Sequence, residues 1–275
     1  MNPFSPSRVL SQTAMIVGGM VLLFAAGIGI FVLVLSQDLP DPAQLERYQP
    51  KLVSKVYSAD GKLIKEFFEE RRSYITLDQV PKHMVQALLA TEDRRFYQHW
   101  GVNIMRVAQA VVIDVAYMEK RQGASTITQQ LSRLLYLSAE KTIIRKIKEI
   151  LTAVQIERTY TKPEILEMYL NHVYLGHGAH GVELASQRYY GKAVAALDVQ
   201  QAATLVAIVQ RPESLSPIRN PQACKARRNL VLRNMYATGA LSKKDLELYA
   251  SEELGVLKNL PNEYYGIAPY FTEHI

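Results

Sequence analysis

An uninterrupted apolar run near the N-terminus constrains this chain more than any other feature of its sequence. Residues 15–35 read MIVGGMVLLFAAGIGIFVLVL and contain no charged side chain. At about 1.5 Å of rise per helical residue, this run is long enough to cross the roughly 30 Å hydrocarbon core of a bilayer. A cleaved signal peptide is the alternative, but its apolar core would be shorter and would end at a small-residue cleavage site. The sequence therefore predicts a transmembrane helix.

Charge does not decide which way this helix crosses the membrane. Arg8 alone precedes the span, whereas Arg47, Lys51 and Lys55 follow it, so the positive-inside rule does not favour a cytoplasmic N-terminus. The whole chain has a formal net charge of +6, which suits either an anionic partner or an ordinary basic surface. Its single cysteine, Cys224, excludes an intrachain disulfide.

The segments after the apolar run predict a linker, a small hairpin and then helices. Residues 36–51 are rich in Pro, Asp and Gln and are typical of a linker. Two β-prone runs, residues 53–57 and 63–68, flank Asp60 and Gly61, a dipeptide that suits a tight turn. Beyond Pro81 apolar residues recur with helical period. We expect one mainly α-helical domain over residues 52–260.

Two helix starts have a recognisable capping pattern. Thr161 with Glu164, and Asp198 with Gln201, have the spacing of a helix cap and its third residue. Side chains at this spacing can satisfy the free amide groups of the first turn. Each pair therefore predicts the beginning of a helix.

The first candidate for chemistry is the stretch ATEDRRFYQHWG at residues 90–101. Continuing the apolar stripe of Met84 and Leu88 by four residues places Glu92 on the buried face at the end of a helix. A carboxylate that is shielded from water at such a place suits a general base. The alternative is a surface carboxylate paired with Arg94 or Arg95.

The second candidate is RQGASTITQQLSR at residues 121–133, where a glycine and hydroxyl residues lead into a helix. The start of a helix presents free N–H groups and a positive dipole end, which suit an anion such as phosphate. Thr126, Gln129 and Arg133 would share one polar face of this helix. The alternative is that Thr126 and Gln129 form only a capping box.

The third candidate is the basic run at residues 143–157. Arg145 and Lys146 can neutralise a pyrophosphate, and Glu149 follows Arg145 by one helical turn, so it can fix that side chain. A solvated charged face is the alternative. The apolar residues of this run predict a buried stripe made of Ile143, Ile147, Ile150, Leu151 and Val154.

Two further patterns are weaker. Residues 138–141 spell S-x-x-K, the nucleophile motif of penicillin-recognising transpeptidases, but no K-T-G follows, which favours a helix cap. His177 and His180 lie on a glycine-rich loop without the other ligands that a zinc site needs. No metal site is predicted from these residues.

Four stretches, EDRRFYQHWG, GASTITQQ, RKIKE and ILEMYLNHVYLG, occur in the order and approximate spacing of glycosyltransferase family 51. This family is the polymerase module of class A penicillin-binding proteins and of monofunctional glycosyltransferases. The chain resembles it from about Val53 to the C-terminus, including YYGK at residues 189–192 and SPIRNP at residues 216–221. Residues 261–275 are similar to the passage that leads into a transpeptidase domain, so the chain is expected to be a fragment of such an enzyme or a monofunctional relative.

The resemblance implies a fold, a substrate and a location. The fold would be a lysozyme-like helical domain whose two lobes enclose a cleft, with residues 101–117 dipping into the membrane. The substrates would be lipid II and a growing glycan strand, alongside membrane lipids and, as further candidate partners, other cell-wall synthesis proteins, but no nucleic acid. The chain would be a single-pass protein of the bacterial cytoplasmic membrane, with residues 1–14 in the cytoplasm and the catalytic domain outside.

The resemblance also implies the roles of individual residues. Glu92 would deprotonate the acceptor's sugar hydroxyl in an inverting single displacement, and Glu149 would orient the cations of the catalytic site. The pyrophosphate would be bound by Ser125, Thr126, Gln129, Gln130, Arg133, Arg145 and Lys146. No cofactor is required, although Mg²⁺ or Mn²⁺ would be compatible with a pyrophosphate, and the sequence offers no acidic cage for either ion.

The sequence departs from the family at Arg133 and Leu134, where Lys-Asn is usual. Arginine keeps the cation but is bulkier and presents a planar fork. Two other functions stay open at this point. A lysozyme-like hydrolase or lytic transglycosylase would need a water or a second carboxylate rather than a cationic cluster. A non-catalytic membrane scaffold would need neither Glu92 nor the hydroxyl loop.

Overall fold

The computed structural model describes residues 6–37, 39, 54–58, 60, 63–67, 74–105, 125–136 and 142–257. This part of the chain is mainly α-helical, which confirms the predicted fold class. Its helices are α1 (Pro6–Gln37), α2 (Lys82–Glu92), α3 (Ile127–Tyr136), α4 (Ile143–Thr159), α5 (Lys162–His172), α6 (Val182–Tyr190), α7 (Val199–Ile208), α8 (Pro221–Ala237) and α9 (Lys243–Ser251). The described residues leave out most of the predicted linker at residues 36–51, most of the predicted membrane-dipping segment, the S-x-x-K motif and residues 261–275.

The predicted transmembrane segment lies within one long helix, α1. Its portion Met15–Gln37 has a mean hydropathy of 2.6 and is long and apolar enough to cross a membrane. Among the described residues, it is the only helix that meets this criterion. The direction in which it crosses stays a prediction.

A small antiparallel hairpin follows α1. Strand β1 (Ser54–Tyr57) pairs with β2 (Leu63–Phe67), with Ser54 opposite Phe67 and an irregularity between Val56 and Tyr57. The hairpin predicted from the β-prone runs is confirmed to within one residue at each end.

The core of the domain forms around α7. This helix is apolar on nearly every side and has the sequence VQQAATLVAI, so it can be stable only if neighbours cover it all round. Helices α2, α6, α8 and α9 pack against it. Met84 and Leu88 of α2 are buried in this core, as the stripe predicted. The predicted capping box of Asp198 and Gln201 begins α7, which confirms that helix start.

A second group of helices, α3, α4 and α5, packs together beside this core. The predicted capping box of Thr161 and Glu164 begins α5. The predicted buried stripe of α4 is wrong: Ile143 is exposed, and Ile147, Ile150, Leu151 and Val154 are only partly buried. The buried residues are instead Glu149, Thr152, Ala153 and Ile156. The buried face of α4 is determined by contacts with parts of the chain that are distant in sequence. The spacing of apolar residues within α4 carries no information about those contacts.

Helix α5 also holds the segment that enters the helical domain. The side-chain amide of Asn171 accepts a hydrogen bond from Ile75 N–H at 2.9 Å and donates to Ile75 O at 2.8 Å. One turn earlier, Glu167 accepts a bond from Leu77 N–H at 2.8 Å and another from the Tyr74 hydroxyl at 2.5 Å. Residues 74–77 are thereby held against α5 by hydrogen bonds to the side chains of Glu167 and Asn171.

Candidate active site

Glu92 is the last residue of α2 and is buried, with 5% of its surface exposed. Its Oε2 accepts a hydrogen bond of 2.9 Å from the side-chain amide Nε2 of Gln130 on α3. Arg94, a predicted alternative partner, instead donates to Ala90 O and to Asn234 Oδ1, each at 3.0 Å. The carboxylate is therefore held on the apolar face of α2, where the helical stripe placed it.

The amide that holds Glu92 is itself held by a tyrosine. Tyr169 of α5 donates its hydroxyl proton to Gln130 Oε1 at 2.9 Å. Burial, and secondly the negative charge of Glu92, raise the pKa of Tyr169 well above its usual value, while Arg133 acts in the opposite direction. Tyr169 therefore keeps its proton and remains a hydrogen-bond donor.

Asp93, directly after Glu92, fixes the start of α3. Its Oδ2 accepts the backbone N–H of Ile127 at 3.1 Å and a bond of 2.8 Å from His99 Nε2. Because Gly101 N–H donates to His99 Nδ1, the proton of this imidazole is placed on Nε2. A buried carboxylate at a helix N-terminus is also favoured by the helix dipole. Asp93 thus ties α3 to the end of α2.

Thr126 and Gln129 form a reciprocal capping box at the start of α3. Gln129 N–H donates to Thr126 Oγ1 at 3.1 Å, and Thr126 N–H donates to Gln129 Oε1 at 2.9 Å. The Thr126 hydroxyl also donates to Gly101 O at 2.7 Å. Both side chains are buried, so their described bonds build the helix start, as the capping-box alternative predicted.

The two cations predicted on α4 converge on Glu149, and one of them, Lys146, also contacts the residue before this cap. Lys146 Nζ donates to Ser125 Oγ at 2.8 Å and also binds Glu149 Oε1. Arg145 Nη1 lies 3.4 Å from Glu149 Oε2, so each oxygen of this buried carboxylate has a cationic partner. Within the described part of the chain, Arg145 Nε is buried without a hydrogen-bond acceptor. Because that atom is shielded from solvent, an incoming anion would be met by Lys146, whose side chain is 42% exposed.

Arg133 extends the positive charge along α3. It lies three residues after Gln130 on the exposed side of the helix, close enough to influence Tyr169. Among the described residues it forms no hydrogen bond or ion pair of its own. Leu134, the other departure from the family pattern, is exposed.

The beginning of α3 brings the predicted residues together. Lys146 binds Ser125, the residue before Thr126. Gln130, which binds Glu92, lies four residues after Thr126, or about 6 Å further along the helix axis at about 1.5 Å per residue. The carboxylate and the cationic cluster are thus both attached near the start of α3. Asp93, His99 and Tyr169 complete this arrangement but were not singled out from the sequence, although all three lie in the quoted motifs.

The histidines of the glycine-rich loop have other contacts. His177 Nε2 lies 2.8 Å from Ser216 Oγ, and His180 packs against the ring of Tyr174. In the part of the chain that the structure describes, no three His, Cys, Asp or Glu side chains are placed to hold a metal ion. One or two carboxylates together with substrate phosphates suffice to hold Mg²⁺, so the divalent cation stays a prediction, and we assign no chemical step to it.

Together, these features define a class: a mainly helical enzyme with an apolar N-terminal helix and a buried carboxylate beside a cationic cluster. Comparison with known proteins makes the assignment specific. Residues 60–236 match the family described as Transglycosylase, and this match covers more than half of the chain. The chain therefore belongs to the transglycosylase family, which confirms the family predicted from its motifs.

Curated relatives support the same assignment. The chain is 38% identical over 257 residues to penicillin-binding protein 1A of Aquifex aeolicus (strain VF5), covering 94% of this chain and 35% of that protein. It is 39% identical over 255 residues to penicillin-binding protein 1A of Escherichia coli (strain K12), covering 93% and 30% respectively. The chain thus spans about a third of the length of these relatives.

Among solved structures, the crystal structure of penicillin-binding protein 1A from Haemophilus influenzae is similar, with a TM-score of 0.49 and 23% sequence identity. The match covers 82% of this chain and 24% of that one.

Proposed function

We propose that this chain is a peptidoglycan glycosyltransferase that polymerises lipid II into β-1,4 glycan strands and releases polyprenyl pyrophosphate. One observation carries the proposal. A buried glutamate, Glu92, and a cluster of cations at Lys146 are bound five residues apart on the chain, at Gln130 of α3 and at Ser125 just before that helix. A transfer between sugars needs a base on one side of the reacting carbon, and a pyrophosphate leaving group needs positive charge on the other.

The reaction is a single displacement. Glu92 removes the proton from the 4-hydroxyl of the acceptor sugar while that oxygen attacks the anomeric carbon of the donor. A new carbon–oxygen bond forms as the bond to the pyrophosphate breaks, and the bonding electrons leave with the pyrophosphate. Because there is one displacement, an α-linked donor gives a β-linked product. The hydrogen bond from Gln130 holds the carboxylate in position for this proton transfer.

The leaving group is stabilised by charge and by hydrogen-bond donors. We assign this role to Lys146, Arg145 and Arg133, with Ser125 beside Lys146 as a neutral partner. Glu149 keeps Arg145 and Lys146 in place and does not react, since both of its oxygens are bound by these cations. Thr126 and Gln129 contribute by forming the helix start that positions Ser125 and Gln130.

A lysozyme-like hydrolase is the principal rival. An inverting hydrolase needs a second carboxylate to activate water, and a retaining one needs a nucleophilic carboxylate. Glu149 is bound to two cations, and Asp93 is buried against His99 and the start of α3. The contacts of these two carboxylates favour transfer over hydrolysis.

The location follows from the substrate. Lipid II is used on the outer face of the cytoplasmic membrane, so we place the catalytic domain there and the N-terminal residues in the cytoplasm. Helix α1 would be the single membrane anchor. Membrane lipids and other cell-wall synthesis proteins are the partners this location offers.

The test is polymerisation of fluorescent lipid II by the purified protein in detergent, with products resolved by gel electrophoresis. The wild type is compared with Glu92→Gln and with Glu183→Gln, a buried glutamate that only accepts bonds from Val194 N–H and Gln187. We expect glycan ladders from the wild type and Glu183→Gln, and none from Glu92→Gln. Cleavage of preformed glycan would instead indicate a hydrolase, and the absence of any reaction would favour a scaffold.

A further inference from the structure

The contacts of Glu92 form a chain of three side chains that come from three different helices. Tyr169 of α5 donates to Gln130 of α3, and Gln130 donates to Glu92 of α2. Both bonds are 2.9 Å long. The side chain of Glu92, the candidate base, is thus connected through Gln130 to Tyr169 of α5, whose described hydrogen bond goes to Gln130 rather than to Glu92.

The direction of these bonds is fixed by chemistry. An ionised carboxylate only accepts hydrogen bonds, so the NH₂ group of Gln130 must face Glu92. The carbonyl oxygen of the same amide then faces Tyr169 and needs a donor, which the phenolic O–H supplies. Without that donor, the amide oxygen would lose its partner and the amide would be held only at the end that faces Glu92. Tyr169 therefore anchors the amide in the orientation that Glu92 requires.

Tyr169 is well placed to impose this orientation. Its side chain is 1% exposed and lies in the interior of α5, which packs against α3. A tyrosine in such a place has little rotational freedom, because the ring is enclosed by the core. Glutamine has more rotatable bonds than tyrosine, so the rigid member of the pair determines the position of the flexible one.

We propose that Tyr169 is a positioning residue for the glycosyl transfer, and that it acts through the amide orientation of Gln130 on Glu92. The inference rests on the proposed function, because it assigns Tyr169 a part in the same reaction. Tyr169 does not touch the reacting atoms. Its effect is to hold a general base in one orientation, and small displacements of a positioned group slow a reaction strongly.

The test uses a pair of matched substitutions. Tyr169→Phe removes the hydroxyl that binds Gln130, whereas Tyr189→Phe removes an equally buried hydroxyl that donates to Leu175 O at 2.8 Å. We expect Tyr169→Phe to lower kcat roughly tenfold with KM changed less than about twofold. Tyr189→Phe should lower the melting temperature and leave kcat unchanged. Equal losses of kcat in the two variants would show that Tyr169 has only a structural role.

A double-mutant cycle then tests the route through Gln130. In a Gln130→Ala background, Tyr169→Phe should change kcat by less than about twofold, because the group through which it acts is gone. The same tenfold loss in both backgrounds would overturn the proposal.

Melting temperatures of the four proteins in this cycle give a readout that does not need turnover. We expect the two substitutions to be non-additive, since they remove the same hydrogen bond. Strictly additive shifts would overturn the contact itself. If the wild type makes no glycan, the proposed function fails by that result alone, and the melting temperatures still decide whether Tyr169 orients Gln130.

Discussion

Lys146 Nζ donates to Ser125 Oγ over 2.8 Å and thereby joins the first turn of α4 to the start of α3. The same ammonium group binds Glu149, so its position is fixed from two sides. About two-fifths of the Lys146 side chain remains exposed, at 42% of its surface. The amine is therefore both held in place and open to an incoming anion.

Replacing Lys146 by methionine should reduce glycan synthesis by about 10²- to 10³-fold in kcat/KM, the usual effect of removing one group that stabilises developing charge. The measurement is the initial rate of fluorescent lipid II consumption. Lys225→Met is the control, because Lys225 pairs only with the exposed carboxylate of Glu253, outside the site. A Lys146→Met protein that polymerises at the wild-type rate would show that the pyrophosphate binds elsewhere.

Thr126→Ala should lower the free energy of unfolding by about 1–3 kcal/mol, since it removes a helix cap and the bond to Gly101 O. It should also slow the reaction, because the start of α3 positions both Ser125 and Gln130. Chemical denaturation and the lipid II assay measure the two effects. Ser242→Ala removes an exposed cap of α9 and should cost about 1 kcal/mol without changing the rate. An unchanged rate in Thr126→Ala would refute the positioning role of this cap.

Gly101→Ala should destabilise the protein more than Gly239→Ala. Both glycines have positive φ, 97° and 76°, so alanine costs about 1–3 kcal/mol at either position. At Gly101 the added Cβ would also lie 2.9 Å from Ala153 O on α4, whereas no atom lies within 4 Å at Gly239. The difference between the two unfolding free energies measures the cost of this close approach. Equal values would mean that α4 moves aside freely.

The free energy of unfolding should decrease as the pH is lowered, and His177 should account for part of this decrease. Burial, followed by the positive charge of Arg219, lowers the pKa of His177 below 6.5. Between the lowered value and 6.5 the unfolded chain binds more protons than the native one, so the free energy of unfolding decreases as pH falls through this window.

His177→Asn provides the comparison for this effect. Asparagine tolerates the positive φ of 50° at this position and does not titrate. Urea denaturation from about pH 8 to about pH 5 should show a smaller loss of stability in the variant than in the wild type. Parallel pH dependences would exclude His177 as the source.

Local patterns predicted much of this molecule. The helical stripe of Met84 and Leu88 placed Glu92 on the buried face of α2, and short-range capping patterns marked the beginnings of α5 and α7. These predictions succeeded because the physics behind them acts within a few residues of the chain. The hairpin succeeded for the same reason.

The remaining features depend on contacts between distant segments. Both oxygens of the buried Glu149 carboxylate bind cations, so a charged residue takes a buried position of α4, while Ile143, which the period assigned to the core, is exposed. Tyr169 is not singled out by the sequence, since nothing in its neighbourhood along the chain indicates that its hydroxyl meets Gln130. Such pairings appear only when α3 and α5 are packed together.

The binding of residues 74–77 along α5 has a mechanical consequence. Tyr74, Ile75 and Leu77 are among the first described residues after the hairpin, so a pull carried along the backbone from the hairpin acts on them. Glu167 and Asn171 take that load through hydrogen bonds that lie side by side on one helix. Force carried by the backbone is therefore shared between two side chains of α5 before it can act on α2, the helix that ends in Glu92.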